Sequence, residues 1–307
     1  MPDAVISVRG FTKSYGDVEA VRGIDLEVER GEVFAFLGPN GAGKTSTVEV
    51  LEGYRRRSGG EVSVLGEDPQ TANRGWRERI GIVLQSSKLD PYLTAREALS
   101  LYAGYYREPR PVDEVIELIG LQEEADTRAR KLSGGQQRRL DVGMALIGDP
   151  DLLFLDEPTT GFDPLARRQA WDVIAELREL GKTIFLTTHY MDEAQRLADR
   201  VAIIARGEIV ASGTPQDLGD RESEPTTISF RLADGLDVGD LPERLGELSA
   251  SGNGAVSLRT ATPVQVLNRL TGWALERGVD LEGLEVNRPS LEDVYLELTA
   301  QAEGEPE

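Results

Sequence analysis

Residues 38–45 read Gly38-Pro39-Asn40-Gly41-Ala42-Gly43-Lys44-Thr45 and sit between two segments of different periodicity. Before them, Val33–Leu37 is an unbroken apolar run of strand length, the pattern of a strand buried on both faces. After them, residues 44 to about 51 carry helical spacing. A strand that turns through G-x-x-x-x-G-K-[ST] into a helix leaves little freedom of fold, because it implies a parallel sheet edge beside a helix N-terminus. The glycines let main-chain N–H groups close around a polyphosphate where a Cβ would obstruct. Lys44 is expected to neutralise the β- and γ-phosphates and the Thr45 hydroxyl to ligate Mg²⁺. Gly38, Pro39, Asn40, Gly41, Ala42, Gly43, Lys44, Thr45 and the following Ser46 form the expected phosphate-binding set. A chance glycine-rich turn could carry the same letters, but the strand before and the helix after count against it.

Short apolar runs recur at 80–84, 152–155, 183–187 and 201–205, several separated by helical stretches such as 165–180. The reading is an α/β fold of the P-loop NTPase kind with a mostly parallel sheet core. Residues 5–9 and 18–28 alternate and are broken by glycines, which predicts an N-terminal antiparallel β region. Between 85 and 148 strand signals vanish and helical patterns dominate, as at 94–106 and 113–119, so a helical insertion is expected over about 86–148. Near 220 the composition turns polar. Residues 220–307 hold eighteen acidic and seven basic residues, a net of −11. They are expected to form a small α+β accessory domain after a phosphate-loop domain at 1–219, with strands at 227–232, 255–259 and 279–286 and a helix at 291–298.

The 307 residues, 39% hydrophobic and 29% charged, are ample for a core and too apolar for wholesale disorder. A net charge of −20 disfavours nucleic acid and anionic bilayers as partners. With no cysteine there is no thiol nucleophile or thiolate metal site. The start lacks the basic flank and apolar core of a signal peptide, and the apolar runs are only strand-length, so no membrane insertion and a cytoplasmic location are expected.

Two further motifs carry chemistry. Residues 152–157 are an apolar strand ending in Asp156-Glu157, which places two carboxylates at the sheet edge where ligands bind in open α/β folds. Asp156 is expected to hold the Mg²⁺ shell. Glu157 is the candidate to orient and deprotonate a water attacking the γ-phosphate. Leu132-Ser133-Gly134-Gly135-Gln136 precedes a helical stretch at 137–146, and so offers a second anion site at a helix N-terminus. One nucleotide does not need two such cradles.

These motifs, in this order, resemble the ATP-binding subunits of ABC transporters over residues 4 to about 218. The resemblance implies an ATPase with ATP and Mg²⁺ as cofactors. It implies that Tyr15 stacks on adenine, although as a bare residue Tyr15 is equally strand packing. Gln85 is similar to the glutamine that touches Mg²⁺ and senses the membrane partner, and His189, the one histidine, resembles the switch histidine at the γ-phosphate. Gly161-Phe162-Asp163 takes the place of the loop across the dimer interface, with Phe162 where leucine is commoner, and Asp163 joins the nucleotide-contacting set. Ser133 and Gly135 are implied to reach the nucleotide held by a second ATP-binding subunit, with Gly134 and Gln136 in the same nucleotide-binding set, giving a two-fold head-to-tail dimer with ATP at its interface. The implied further partner is a separate transmembrane permease, which would hold the subunit at the inner face of the cell membrane.

Residues 85–89 (Gln-Ser-Ser-Lys-Leu), 157–164, 188–194 and 289–295 are similar to the daunorubicin-resistance and ABC-2-type exporter branch. The stretch 289–295 is by the same resemblance expected to pack on the ATPase domain. Two other classes stay open at this point: a soluble ABC ATPase without a membrane partner, and the energy subunit of an importer.

Overall fold

The sheet edge demanded by the loop exists, and the register of three parallel strands builds it. In the computed structural model, which describes residues 4–83, 90–218, 226–233, 235–242, 245–250, 254–287 and 295, the chain divides into a first unit built on Met1–Pro215 and a second, Gln216–Leu298. The first unit opens with β1 (Ala4–Tyr15), β2 (Val18–Glu29) and β3 (Val33–Leu37), followed by α1 (Lys44–Leu51), β4 (Gly59–Val64), α2 (Arg74–Glu78) and β5 (Ile80–Val83). It continues with α3 (Ala95–Ala103), α4 (Val112–Leu118), α5 (Gly134–Leu146), β6 (Leu152–Asp156), α6 (Pro164–Glu179), β7 (Thr183–Thr188), α7 (Met191–Leu197), β8 (Arg200–Ala205) and β9 (Glu208–Gly213).

β1 pairs antiparallel with both β2 and β4, as the N-terminal alternation predicts for the first pair. A six-stranded sheet runs β5-β6-β7-β3-β8-β9, parallel but for β9. Val33–Leu37 is buried at every position, which is why its pattern does not alternate. The two sheets share one core. Val8, Phe11, Ile24 and Val64 of the antiparallel sheet join Phe34, Phe36, Phe154, Phe185 and Ile204 of the parallel one. Within it the Phe34 and Phe185 rings stack at 5.6 Å between centroids. Trp76 of α2 closes this core and donates its Nε1–H to Val64 O at 2.8 Å, so its one polar atom is satisfied.

The inserted helices start where cap chemistry dictates. Thr94 and Glu97 form a capping box on α3. Ser133 and Gln136 form one on α5, whose first turn therefore begins at Gly134, three residues before the start that helical spacing gives. Two glycines are poor helix formers, and the box overrides them. Residues 84–89 and the expected end of the fifth strand at 84 lie outside the described residues.

The second unit is a four-stranded antiparallel sheet, order β11-β12-β10-β13, made of β10 (Thr226–Arg231), β11 (Glu247–Ala250), β12 (Ala255–Thr260) and β13 (Glu282–Asn287). α8 (Pro263–Arg277) supplies Val266 and Leu270 to a core with Ile228, Phe230, Val256 and Leu258. β11 and α8 add elements beyond the three expected strands. The expected helix at 291–298 lies outside the described residues except for Tyr295.

Two tests follow from this packing. A Cβ on Gly38 would stand 2.3 Å from Ile204 O of β8, main chain that cannot swing away. Gly38→Ala is expected to cost about 1–3 kcal/mol of stability, measured as a lower denaturation midpoint. Glu52, at the end of α1, is 6% exposed, and its burial, then Asp156 and Glu49, push its carboxyl up to about 8 from 4.5. A raised carboxyl binds a proton in the folded chain that the unfolded chain has released, so stability falls as pH rises from about 4.5 to about 8. Glu52→Gln should remove up to about 1.4 kcal/mol per pH unit of that slope, read as the difference between the wild-type and variant midpoints across this range.

Candidate functional site

Leu37 lies level with Thr188 across β3 and β7, and Asp156 lies level with Thr187 across β6 and β7. That register brings the phosphate loop, the acidic pair and the start of the His189 segment to one edge. A cleft of about 570 Å³ opens there, lined by Pro39, Asn40, Gly41, Gly43, Lys44, Thr45 and Ser46 on one side and Asp156, Glu157, Thr160 and His189 on the other.

Gly43 is left-handed at φ +109°, where a Cβ would stand 2.5 Å from Ala20 O, so glycine alone fits. Gly38 and Ala42 are buried and shape the loop from behind. Among the described residues, no hydrogen bond engages the N–H groups of Gly41, Gly43, Lys44 or Thr45. They are the unpaired donors of a loop and of the first turn of α1, next to a buried ammonium. Lys44 Nζ donates to Gly38 O at 2.6 Å and Pro39 O at 3.1 Å. Burial lowers its pKa, while the Glu157 and Asp156 carboxylates pull the other way. This donor set suits a polyphosphate: free N–H groups and one cation.

Thr187 orders the acidic pair. Its hydroxyl donates to Asp156 Oδ1 at 2.5 Å and accepts from Glu157 N–H at 3.1 Å, while Thr187 O accepts from the same N–H, also at 3.1 Å. Glu157 adopts φ +44°, a strained setting for a residue with a Cβ, of the kind found at functional sites. Its Oε2 accepts from the Thr160 hydroxyl at 3.1 Å, and its Oε1 lies 3.4 Å from His189 Nδ1. The His189 ring packs on Tyr190 with centroids 4.1 Å apart. A carboxylate, an imidazole and a cation thus face one cleft, the arrangement needed to orient and deprotonate water beside a phosphate.

The other expected residues stand apart from this cleft. Tyr15 does not line it, but its hydroxyl is 3.2 Å from Ser46 Oγ, and Lys13 Nζ lies 4.6 Å from the ring centroid. Ser133 and Gly134 are exposed at the start of α5, with Ser133 Oγ accepting from Gln136 N–H at 3.2 Å and Gln136 Oε1 from Ser133 N–H at 2.8 Å. A Cβ on Gly135 would meet Ala166 Cβ of α6 at 3.2 Å. Asp163 caps α6, accepting from the N–H groups of Leu165 and Ala166 at 2.9 Å. Gln85 lies outside the described residues.

Sequence reading missed Thr160 and Thr187, which look like ordinary loop and strand residues, and it missed Arg138. Arg138 of α5 is buried and donates to Pro158 O at 3.2 Å and Asp156 O at 2.9 Å, fixing the main chain on both sides of Glu157. Its one sequence signal is an arginine four and seven positions before the buried Val142 and Ala145 of its own helix, where a solvated face would not fall.

Known proteins share this architecture. Residues 21–160 match the ABC transporter family, and residues 226–290 match the ABC transporter domain-containing protein-like, C-terminal domain. The chain is 37% identical to the Daunorubicin resistance ATP-binding protein DrrA3 of Streptomyces coeruleorubidus, over 97% of each protein. It is 39% identical to the Nod factor export ATP-binding protein I of Rhizobium meliloti, over 98% of this chain and 89% of that one. Among solved structures, cbiO1 of Clostridium perfringens, described as part of an ABC transporter complex, superposes with a TM-score of 0.64 at 29% identity, over 70% of this chain and 90% of that one. A cassette solved as a dimer bound to ADP and Pi gives 0.61 at 25% identity, over 68% of this chain and 98% of that one. Among the described residues no helix is long and apolar enough to cross a membrane. With the phosphate loop facing the acidic pair and relatives aligned over nearly its whole length, the chain belongs to the ABC transporter family as an ATP-hydrolysing, ATP-binding subunit.

Proposed function

We propose that this subunit powers export through a separate transmembrane permease, with ATP bound between two copies of the chain. The observation that carries the catalytic part is Glu157, held at φ +44° with one carboxylate oxygen on Thr160 and the other 3.4 Å from His189. Glu157 takes the proton of the attacking water, and His189 orients that water and the γ-phosphate. Lys44, released from the two loop carbonyls, turns to the β- and γ-phosphate oxygens, and the free N–H groups of the loop hold the rest of the triphosphate. Thr45 and Asp156 offer the hard oxygen donors that fit Mg²⁺, with Gln85 as the third expected ligand. When bound, the ion supplies charge neutralisation at the phosphate oxygens. Tyr15 stacks on the base.

Ser133, Gly134, Gly135, Gln136 and Asp163 act on the nucleotide of the other copy. Support comes from the exposed N-terminus of α5, a second anion cradle that contributes no residue to its own chain's cleft lining. The γ-phosphate then bridges two subunits, which supplies the differential contacts that closure requires, and hydrolysis removes them. Export is favoured over import by relatives named for drug resistance and Nod factor export, which together span most of this chain. Residues 220–307 serve as an accessory domain, and attachment to a permease places the subunit at the inner face of the cell membrane.

Glu157→Gln is expected to keep ATP binding within about twofold and lower hydrolysis by at least about a hundredfold, as loss of positioned base chemistry does. Near-normal turnover would refute the base assignment. The composite site has its own test. A Lys44→Ala chain mixed with a Ser133→Arg chain should regain about one competent site per heterodimer, because each variant spoils a different half. Heterodimers that form without recovering any activity would show that each chain works alone.

A further inference from the structure

Glu193, in the first turn of α7, is 0% exposed and belongs to no part of the chemistry described above. Its Oε1 accepts from the Thr159 hydroxyl at 2.8 Å and from Trp171 Nε1–H at 3.0 Å. Its Oε2 is buried without a partner of good geometry among the described residues. Burial pushes this carboxyl above its usual range, against the pull of the Thr188 and Thr159 hydroxyls and of Trp171. For stability alone such a group is a poor choice, because an apolar side chain of the same size would avoid desolvation. What a carboxylate adds is direction: through one oxygen it ties two elements, the turn at Thr159 and α6 at Trp171, to α7.

Those elements are the ones that present the reacting groups. Thr159, itself fully buried, lies two residues after Glu157 in the turn that carries φ +44°. Thr160, which holds Glu157 Oε2, comes next, and Phe162 N–H closes the same turn on Thr159 O at 3.1 Å. Trp171 stands on α6, whose first turn Asp163 caps. Glu193 follows His189 by four residues and Thr188 by five. Arg138 grips the same main chain at Asp156 O and Pro158 O from α5. The turn bearing Glu157 is therefore held at its carbonyls by a buried cation and at its Thr159 side chain by a buried carboxylate.

We propose that Glu193 is a positioning residue for ATP hydrolysis, which by anchoring Thr159 to α6 and α7 keeps Glu157 and His189 in register. This rests on the assignment of Glu157 as the base. Glu193 touches no nucleotide, so its loss misplaces the attack without loosening the phosphate loop. Glutamine retains an acceptor oxygen for Thr159 and Trp171, and leucine of similar volume retains none.

The test uses the full-length chain, with hydrolysis rates and fluorescent ATP titration measured on the same samples. Glu193→Leu is expected to lower kcat at least tenfold with ATP affinity within twofold, and Glu193→Gln to stay within about threefold of wild type. Thr159→Val, which is isosteric and removes only the hydroxyl, should reproduce the fall, and the double variant should fall no further than either single one. Should Glu193→Leu fail to fold, Thr159→Val carries the same comparison. Unchanged kcat in the leucine or valine variant, a parallel loss of kcat and ATP affinity, or a glutamine variant as impaired as leucine would overturn the proposal. Glu157→Gln in the same assay separates the two claims: its normal turnover removes the base assignment whatever Glu193 does, and its collapse beside an active Glu193→Leu removes only the positioning role.

Discussion

The site depends on a register before it depends on any catalytic side chain. Pairing of Leu37 with Thr188 and of Asp156 with Thr187 makes β3, β7 and β6 end at one level. A shift of one residue in the β6–β7 ladder would carry Asp156 to the opposite face of the sheet. The register is in turn secured by volume: Phe34, Phe154 and Phe185 lie on adjacent strands with centroids 5.6 to 5.7 Å apart, and no slip preserves both contacts. Gly38 is the point where this packing meets function. β3 must leave the sheet against Ile204 O with no Cβ between them, and only then can the loop wrap.

The N–H donors at that edge are left without acceptors until a polyphosphate arrives. Lys44 is buried between loop carbonyls and two carboxylates, and burial lowers its pKa against their attraction. The N–H groups of Gly41, Gly43, Lys44 and Thr45 beside it have no internal acceptors among the described residues. A ligand bringing several anionic oxygens satisfies both at once, whereas a neutral molecule of the same size satisfies neither. In a chain of net charge −20 the anion is drawn in by this local field of amides and one ammonium, since the molecule as a whole repels it.

How much of this was legible in the sequence follows from which signals are local. Val33–Leu37 and residues 152–155 read correctly because strands buried on both faces carry unbroken apolar runs. Lys44, Asp156, Glu157 and His189 meet in one cleft as their strand ends implied. β4 and β9 carry no clear strand pattern, since Gly59–Val64 opens with two glycines and Glu208–Gly213 is only half-buried. Helical spacing starts α5 late because two glycines mask a helix whose true signal is the Ser133 and Gln136 pair. Arg138, Thr187 and Glu193 were illegible for another reason: each acts by a hydrogen bond to a residue eighteen to thirty-four positions away, and no periodicity records such a bond.

The same long-range bonds explain why a strained backbone persists at Glu157. A left-handed non-glycine residue costs on the order of 1 kcal/mol or more, and the surrounding structure must over-determine it. Its N–H is fixed by Thr187 O and Thr187 Oγ1, Arg138 holds the carbonyl of Asp156 before it, and Thr160 N–H returns to Glu157 O at 3.3 Å. What the set adds is direction, aiming a carboxylate that is only 13% exposed at the cleft instead of leaving it to solvent. Three of these anchors come from three elements, β7, α5 and the turn itself. A movement of α5, whose exposed N-terminus carries Ser133, is therefore mechanically linked to the residue proposed as the base, without any side chain of α5 entering the cleft.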